Sequence, residues 1–184
     1  LGYFLSILVI LQILVNNGSI YLENNIVFTT LVVVSFLFIL NLFNFLYLGD
    51  SGAYLISFII GSILIFLHQN NPSISPYFVA LLLWYPAFEN LFSIIRKNIS
   101  KTNPINPDTG HLHQLIFKFI NKKNFFFNKH SNQITSSLIV LYNALVFVVS
   151  LNYITKTDQL VILIVFNVLV YLGLYFFLKR SLSN

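Results

Sequence analysis

Residues 26–67 read IVFTTLVVVSFLFILNLFNFLYLGDSGAYLISFIIGSILIFL, and this stretch decides the fold class. It contains two long apolar runs separated by the tetrapeptide Gly49-Asp50-Ser51-Gly52. A helix needs about 20 apolar residues to cross the hydrocarbon core of a bilayer. The stretch therefore predicts two membrane-spanning helices joined by a short polar turn.

The rest of the chain has the same character. Of its 184 residues, 57% are hydrophobic and 8% are charged, whereas a soluble domain carries about 25% charged residues. We expect an all-α, polytopic transmembrane helix bundle of about six spans, with a cytoplasmic loop bearing a short interfacial helix. The spans are predicted at about 1–15, 26–48, 53–67, 77–95, 134–154 and 160–178, and the loop at 96–133. Pro86, inside the fourth span, predicts a kink.

Basic residues orient the predicted bundle. Seven of the ten lysines and arginines lie between Arg96 and Lys129. Cytoplasmic loops carry an excess of these residues, so loop 96–133 is predicted to face the cytoplasm. Counting spans backwards puts Gly49–Gly52 on the same side, and the segments 16–25, 69–75 and 155–159 on the other. The basic loop indicates anionic headgroups and anionic substrates as partners, and no nucleic acid.

Cysteine and methionine are both absent from the sequence. The lack of cysteine excludes a disulfide framework and a thiolate metal site. A translated protein starts with Met, so Leu1 leads us to expect a fragment or a processed product of a larger protein. We expect 1–184 to be a single membrane domain of it.

The tetrapeptide around Asp50 is the first candidate site. One interpretation is a helix N-cap, in which Asp50 or Ser51 accepts hydrogen bonds from the open N–H groups of the next helix. The other is a phosphate or magnesium site. Flanking glycines let a ligand approach the backbone, a helix N-terminus favours anions, and Mg²⁺ uses one or two carboxylates beside phosphate oxygens and water. Both interpretations stay open on the residues alone.

The second candidate is the loop that contains His111 and His113. Apolar residues at helical spacing follow these histidines and predict a short amphipathic helix on the membrane surface; they are Leu112, Leu115, Ile116, Phe119 and Ile120. Two histidines two residues apart do not form the i, i+4 pair that a helical zinc site needs. In a loop before the helix, both could face one ligand, or both could simply be solvated.

Glu89 is the third candidate, because it lies in an otherwise apolar segment about two turns before Arg96. An acid inside a membrane segment indicates a functional site by default. It can equally be a structural acid that faces the bundle and pairs with a base such as Arg96. Arg96 marks the cytoplasmic side of the membrane, and it could also attract a diphosphate.

Three motifs in this order resemble the polyprenyl-phosphate N-acetylhexosamine-1-phosphate transferases, the WecA/MraY-type family. They are Leu48-Gly49-Asp50-Ser51-Gly52, Tyr85-Pro86-x-Phe88-Glu89 and Pro107-Asp108-x-x-His111-x-His113. The resemblance extends from Ile26 to about Phe119, and the His-x-His form is similar to the WecA-like branch. It implies transfer of a sugar-1-phosphate from a UDP-sugar to undecaprenyl phosphate with release of UMP. It also implies a bacterial inner membrane protein with a cytoplasmic active face, in the initiation of cell-envelope polysaccharides such as lipopolysaccharide.

The resemblance also implies residue roles. Asp50 would be the catalytic and metal-binding carboxylate, for Mg²⁺ or alternatively Mn²⁺. The residues expected to bind substrate are His111, His113, Asp108, Gln114 and Arg96. The expected partners are a UDP-sugar, a polyprenyl phosphate and membrane lipids, and a homodimer is left open.

The sequence also departs from the family pattern. Gln114 stands where the family commonly has a further histidine, and the family's Asp-Asp pair and Asn-x-x-Asp motif are absent. We therefore expect this part alone to lack some of the active site. The alternatives are a transporter or channel segment without chemistry, and an inactive remnant.

Overall fold

The computed structural model describes residues 1–43, 45–99, 110–123 and 131–183. Within these ranges the chain is all-α, as predicted, and contains no strand. The helices are α1 Gly2–Asn16, α2 Asn24–Leu42, α3 Gly49–Asn70, α4 Pro76–Leu82, α5 Trp84–Ile99, α6 Leu112–Lys123, α7 Ser131–Ser150 and α8 Thr157–Ser183. A 3-10 turn, Leu151–Tyr153, extends α7.

Four helices in these described ranges are long and apolar enough to cross a bilayer, namely α2, α3, α7 with its 3-10 extension, and α8. Helices α4 and α5 together make a fifth candidate span, bent by 70° at the break between them. Helix α1 is apolar too, but its 15 residues are fewer than a straight span needs. The protein is thus a polytopic helical membrane bundle.

Helix α1 forms the centre of this bundle. Its residues Ile7, Leu8 and Leu11 are fully buried, and the helix packs against α2, α3 and α7. Helix α2 instead exposes large apolar side chains such as Phe28 and Phe36. A helix that is apolar all round finds its stable environment in a protein core or in lipid, so α2 presents its outer side to the bilayer.

The predicted kink near Pro86 is confirmed, and the structure shows how it is stabilised. Pro86 has no N–H to donate to the carbonyl of Leu82, four residues earlier. The helix breaks at Leu83, and Pro86 falls in the first turn of α5, where proline is tolerated. The Tyr3 hydroxyl of α1 donates instead to the Leu82 carbonyl at 2.7 Å. The central helix therefore supplies the hydrogen bond that the proline removes.

Three turns meet at one end of the bundle. The Asn71 side chain accepts a hydrogen bond from the Tyr21 N–H at 2.7 Å and donates one to the Tyr21 carbonyl at 3.1 Å. Next to it, the Ser75 N–H donates to the Ile154 carbonyl at 3.0 Å, and the Ser75 and Thr157 hydroxyls are 2.9 Å apart. These contacts join the α1–α2, α3–α4 and α7–α8 turns. Helix α3 therefore begins at the opposite end.

Helix α6 occupies that opposite end, beside the C-terminal half of α8. The predicted apolar stripe is present, but it packs against protein: Leu112 and Leu115 are buried, and Phe119 contacts the Phe177 ring. The neighbours of α6 are α7 and α8. Burying this stripe fixes the start of α6 against the bundle, and the candidate histidines lie at that start.

Candidate functional site

A buried carboxylate organises the candidate site. Glu89, on α5, is only 8% exposed. Its Oε1 atom accepts a hydrogen bond from the Leu112 N–H at 3.1 Å and lies 2.9 Å from Nδ1 of His111. The first turn of a helix has N–H groups without intrahelical partners, and Glu89 satisfies one of them. Glu89 thus pairs with His111, rather than with Arg96 as the structural interpretation proposed.

Arg96 holds the loop end that leads into α6. Its Nη1 atom donates to the Gly110 carbonyl at 2.7 Å and to the Tyr175 hydroxyl at 3.3 Å. The guanidinium lies 5.6 Å and 5.5 Å from the ring centres of Phe92 and Tyr175, within cation–π range. In the structure Arg96 therefore ties α5 and α8 to the residue before His111.

Gly110 has a steric reason to be glycine. A Cβ atom at this position would lie 3.0 Å from Cζ of Arg96 and 3.2 Å from its Nε. Those separations are tighter than ordinary van der Waals contact, so a larger residue would push the guanidinium away from the Gly110 carbonyl. The sequence alone marked Gly110 only as a loop residue.

The two candidate histidines lie side by side. His111 precedes α6 and His113 is its second residue. Their rings are nearly parallel, with centres 5.5 Å apart and planes inclined by 14°. The prediction that both lie in the loop before the helix holds for His111 only, because His113 is already on α6.

His113 is the better solvated of the pair, although protein surrounds one side of its ring. This partial burial lowers the pKa of His113 below its ordinary value of 6.5, and the neighbouring His111 lowers it further, while the Glu89 carboxylate opposes the change. His113 is therefore neutral at pH 7, when an imidazole can both donate and accept a hydrogen bond.

Gln114 has a structural role at the same helix start. Its Oε1 atom accepts a hydrogen bond from the His111 N–H at 3.4 Å. A Gln at the third helical position that bonds back to the residue before the helix makes one half of a capping box. Glu89 and Gln114 thus both help to define where α6 begins.

Asp50 lies in the first turn of α3 and is exposed. The N-cap interpretation is wrong, because Leu48 occupies the N-cap position and no side chain caps the helix. The helix begins at Gly49, one residue before Asp50, and Gly49 has a left-handed φ of +64°, which a glycine adopts at little cost. A Cβ at Gly52 would be 2.7 Å from Cγ of Leu48. Leu48 therefore fills the space beside Gly52, and open space remains only at Gly49.

The described residues contain no cluster of three or more His, Cys, Asp or Glu side chains that could hold a metal ion. A single carboxylate such as Asp50 could still bind Mg²⁺, because this ion needs only one or two carboxylates and completes its shell with phosphate oxygens and water. The space beside Gly49 would accept such a ligand, since a Cβ added to this glycine would meet no other atom within 4 Å. Asp108, predicted to bind substrate, lies outside the described residues.

Two cavities adjoin at the start of α7, and each has polar side chains in its wall. One, of about 240 Å³, is lined by His113, Gln114 and Thr135 among others. The second, of about 580 Å³, reaches Tyr47, three residues before Asp50. Asn132 and Ser136 line both cavities, so the start of α7 lies between the histidine segment and the segment that leads to Asp50.

A third cavity is almost wholly apolar. It measures about 350 Å³ and lies among α5, α6, α7 and α8, with Leu112, Ile116, Trp84 and Tyr171 in its wall. Leu112 thus donates its backbone N–H to Glu89 and lines the apolar cavity with its side chain. Sequence reasoning missed this cavity and the roles of Asn132, Ser136 and Tyr175. The polar run at the start of α7 was the only local signal for any of them.

Comparison with known proteins gives one informative similarity. The undecaprenyl-phosphate alpha-N-acetylglucosaminyl 1-phosphate transferase of Thermotoga maritima is 28% identical to this chain over 76 residues. The matched stretch covers 41% of this chain and 25% of that protein, so it spans about a quarter of the relative's length. No family model and no solved structure matches the chain.

Proposed function

We propose that this chain is the C-terminal part of a phosphoglycosyltransferase of the WecA-like branch. It would transfer N-acetylhexosamine-1-phosphate from a UDP-sugar to undecaprenyl phosphate at the cytoplasmic face of a bacterial inner membrane. The similarity to the Thermotoga maritima transferase supports this class of reaction. The order of the Gly-Asp-Ser-Gly, Tyr-Pro-x-Phe-Glu and His-x-His motifs supports it as well.

The observation that carries the proposal is the position of the first turn of α6. On one side, the polar residues His113 and Gln114 belong to the wall of a small cavity. On the other, Leu112 lines an apolar cavity of about 350 Å³ between α5, α6, α7 and α8. A reaction that joins a water-soluble anion to a lipid anion needs a polar and an apolar compartment that meet at the reacting groups. The start of α6 provides such a junction.

In the proposed reaction an oxygen of the polyprenyl phosphate forms a bond to the β-phosphorus of the UDP-sugar. The bond from that phosphorus to the bridging oxygen breaks, and UMP leaves with the bridging oxygen. Asp50 would hold Mg²⁺, which when bound supplies neutralisation of charge on the diphosphate. His111 and His113 would bind the nucleotide sugar, His113 as a hydrogen-bond donor and His111 through the lone pair on its Nε2, while Arg96 holds Gly110 and thereby the start of α6.

A transfer assay tests the proposal. Membranes that carry the full-length natural protein are supplied with Mg²⁺, radiolabelled UDP-N-acetylglucosamine and undecaprenyl phosphate. We expect label in the lipid fraction and release of UMP. We expect Asp50→Asn to lower the rate by about 10²-fold or more, because charge stabilisation by a metal is worth several kcal/mol.

Asp158→Asn is the matched control. Asp158 is also an exposed acid in the first turn of a helix, but it lies at the opposite end of the bundle. We expect that variant to keep full transfer. Full transfer by Asp50→Asn would overturn the role of Asp50. Substrate flux across vesicles without UMP release would indicate a transporter instead, and neither flux nor transfer would indicate an inactive remnant.

A further inference from the structure

The arrangement around Glu89 goes beyond the proposed transfer reaction. Sequence reasoning left this acid with two interpretations, and neither predicted its partners. In the structure a single oxygen of Glu89 serves both the His111 ring and the first N–H of α6. We infer that Glu89 is a positioning residue, which fixes the proton of His111 on Nδ1 and holds the ring at the start of α6. The catalytic part of this inference rests on the proposed function.

The protonation of His111 follows from the chemistry of its partner. An ionised carboxylate can only accept hydrogen bonds. Oε1 of Glu89 lies 2.9 Å from Nδ1 of His111, so Nδ1 must carry a proton for the two atoms to bond. In the neutral ring the lone pair is then on Nε2. A second hydrogen bond of this kind sets the tautomer and orientation of histidines in metal sites and catalytic triads.

The energetics favour this assignment. Glu89 is 8% exposed in a segment otherwise rich in aromatic residues, and a buried charge is costly unless it is paired and hydrogen-bonded. The bonds from His111 and Leu112 supply that compensation on Oε1 alone, since Oε2 is buried without a hydrogen-bond partner among the described residues. Placing the acid on α5 also makes the ring position depend on a membrane helix, whose break at Leu83 is fixed by Tyr3.

Removal of the negative charge would leave the hydrogen-bond acceptor in place. In Glu89→Gln the amide oxygen can still accept from Leu112, so α6 keeps its start, but the amide can also donate to an unprotonated Nδ1. The ring would then populate both tautomers. Loss of an orienting partner of this kind typically costs about 10–100-fold. We expect kcat/KM for the UDP-sugar to fall by that factor in Glu89→Gln, with unchanged KM for the polyprenyl phosphate.

The first test measures directly which nitrogen of the His111 ring carries the proton, and it does not depend on transfer activity. The full-length protein is labelled with ¹⁵N-histidine in nanodiscs, and the His111 signals are assigned by their loss in His111→Asn. We expect the wild-type ring to carry its proton on Nδ1, and Glu89→Gln to show a mixture of both tautomers. A wild-type ring protonated on Nε2 alone would overturn the inference. If transfer were never observed, the proposed function would fail while this test still decided the role of Glu89.

The second test is a double-mutant cycle on transfer rates. An asparagine at position 111 can keep a donor near the former Nδ1 but lacks Nε2. If Glu89 acts through the ring, Glu89→Gln should cause no further loss in the His111→Asn background. Losses that multiply would show that Glu89 has only a structural role. Glu23→Gln, an exposed acid that precedes α2, is the matched control and should leave both the ring signals and the rates unchanged.

Discussion

Replacing Tyr3 by phenylalanine tests whether the Tyr3 hydroxyl stabilises the break before α5, the helix that carries Glu89. The substitution removes one hydroxyl and keeps the ring, which packs edge-on against Phe147 at 5.6 Å. The lost group is the donor to the carbonyl of Leu82, a residue that is fully buried. Since Pro86 cannot supply a donor, that carbonyl would be left without its partner.

The expected cost follows from this geometry. Leaving a buried acceptor unsatisfied costs about 1–3 kcal/mol, and a protein of this size shifts its Tm by about 2–4 °C for each kcal/mol. We expect the Tm of Tyr3→Phe in nanodiscs to fall by roughly 2–12 °C. Tyr54→Phe is the control, because the Tyr54 side chain is 73% exposed, and it should leave the Tm unchanged.

The cause can be isolated by combining this change with Pro86→Ala. Alanine restores an N–H that can donate to the Leu82 carbonyl, so the cost of losing the Tyr3 hydroxyl should shrink in that background. The reasoning would be refuted if Tyr3→Phe were neutral, or if its cost were the same with and without the proline.

Three further predictions concern the site and the opposite end of the bundle. Gly110→Ala should shift the Arg96 guanidinium and weaken its bond to the carbonyl of residue 110, which lowers stability by at most the roughly 1.5–3 kcal/mol that such a charged bond contributes, as measured in denaturant titrations. Because the pKa of His113 is lowered on folding, stability should be lost as the pH falls from 6.5 toward that lower pKa. The loss should be smaller in His113→Asn when both are measured by thermal unfolding. Asn71→Ala should cost about 1–3 kcal/mol of stability, because it removes both bonds to Tyr21.

Gly110→Ala and Asn71→Ala each have a matched control. Gly173→Ala has open space around the new methyl group and should be neutral or stabilising by up to about 1 kcal/mol, as for any helical glycine. Asn152→Ala removes one long bond of 3.5 Å at the surface and should be nearly neutral. A Gly110→Ala protein as stable as Gly173→Ala, or identical pH profiles for His113→Asn and the wild type, would contradict the respective arguments.

The helices were predictable because they depend on local patterns. Apolar runs of membrane length predicted α2, α3, α7 and α8, and Pro86 predicted the bend between α4 and α5. The apolar stripe from Leu112 predicted α6. The predicted ends were less accurate: α3 begins at Gly49 instead of about residue 53, because a helix in this setting continues through polar residues that hydropathy alone excludes.

The organisation of the site depends on contacts between distant residues and could not be predicted in the same way. Glu89 and His111 are 22 residues apart, and the intervening loop gives no periodic pattern that would pair them. Arg96 was an equally plausible partner by distance along the chain. The capping role of Gln114 is different, since a Gln three residues after a helix start is a local signal. That signal was visible in the sequence once His111 was taken as the residue before the helix.

The proposed reaction requires that Asp50 and the start of α6 face the same compartment. The chain has no cysteine, so single cysteines at Ser51, Lys118 and Lys156 can be probed with a membrane-impermeant thiol reagent in sealed vesicles of known orientation. We predict labelling of positions 51 and 118 from the cytoplasmic side and of position 156 from the other side. Labelling of positions 51 and 118 from opposite sides would contradict a shared site.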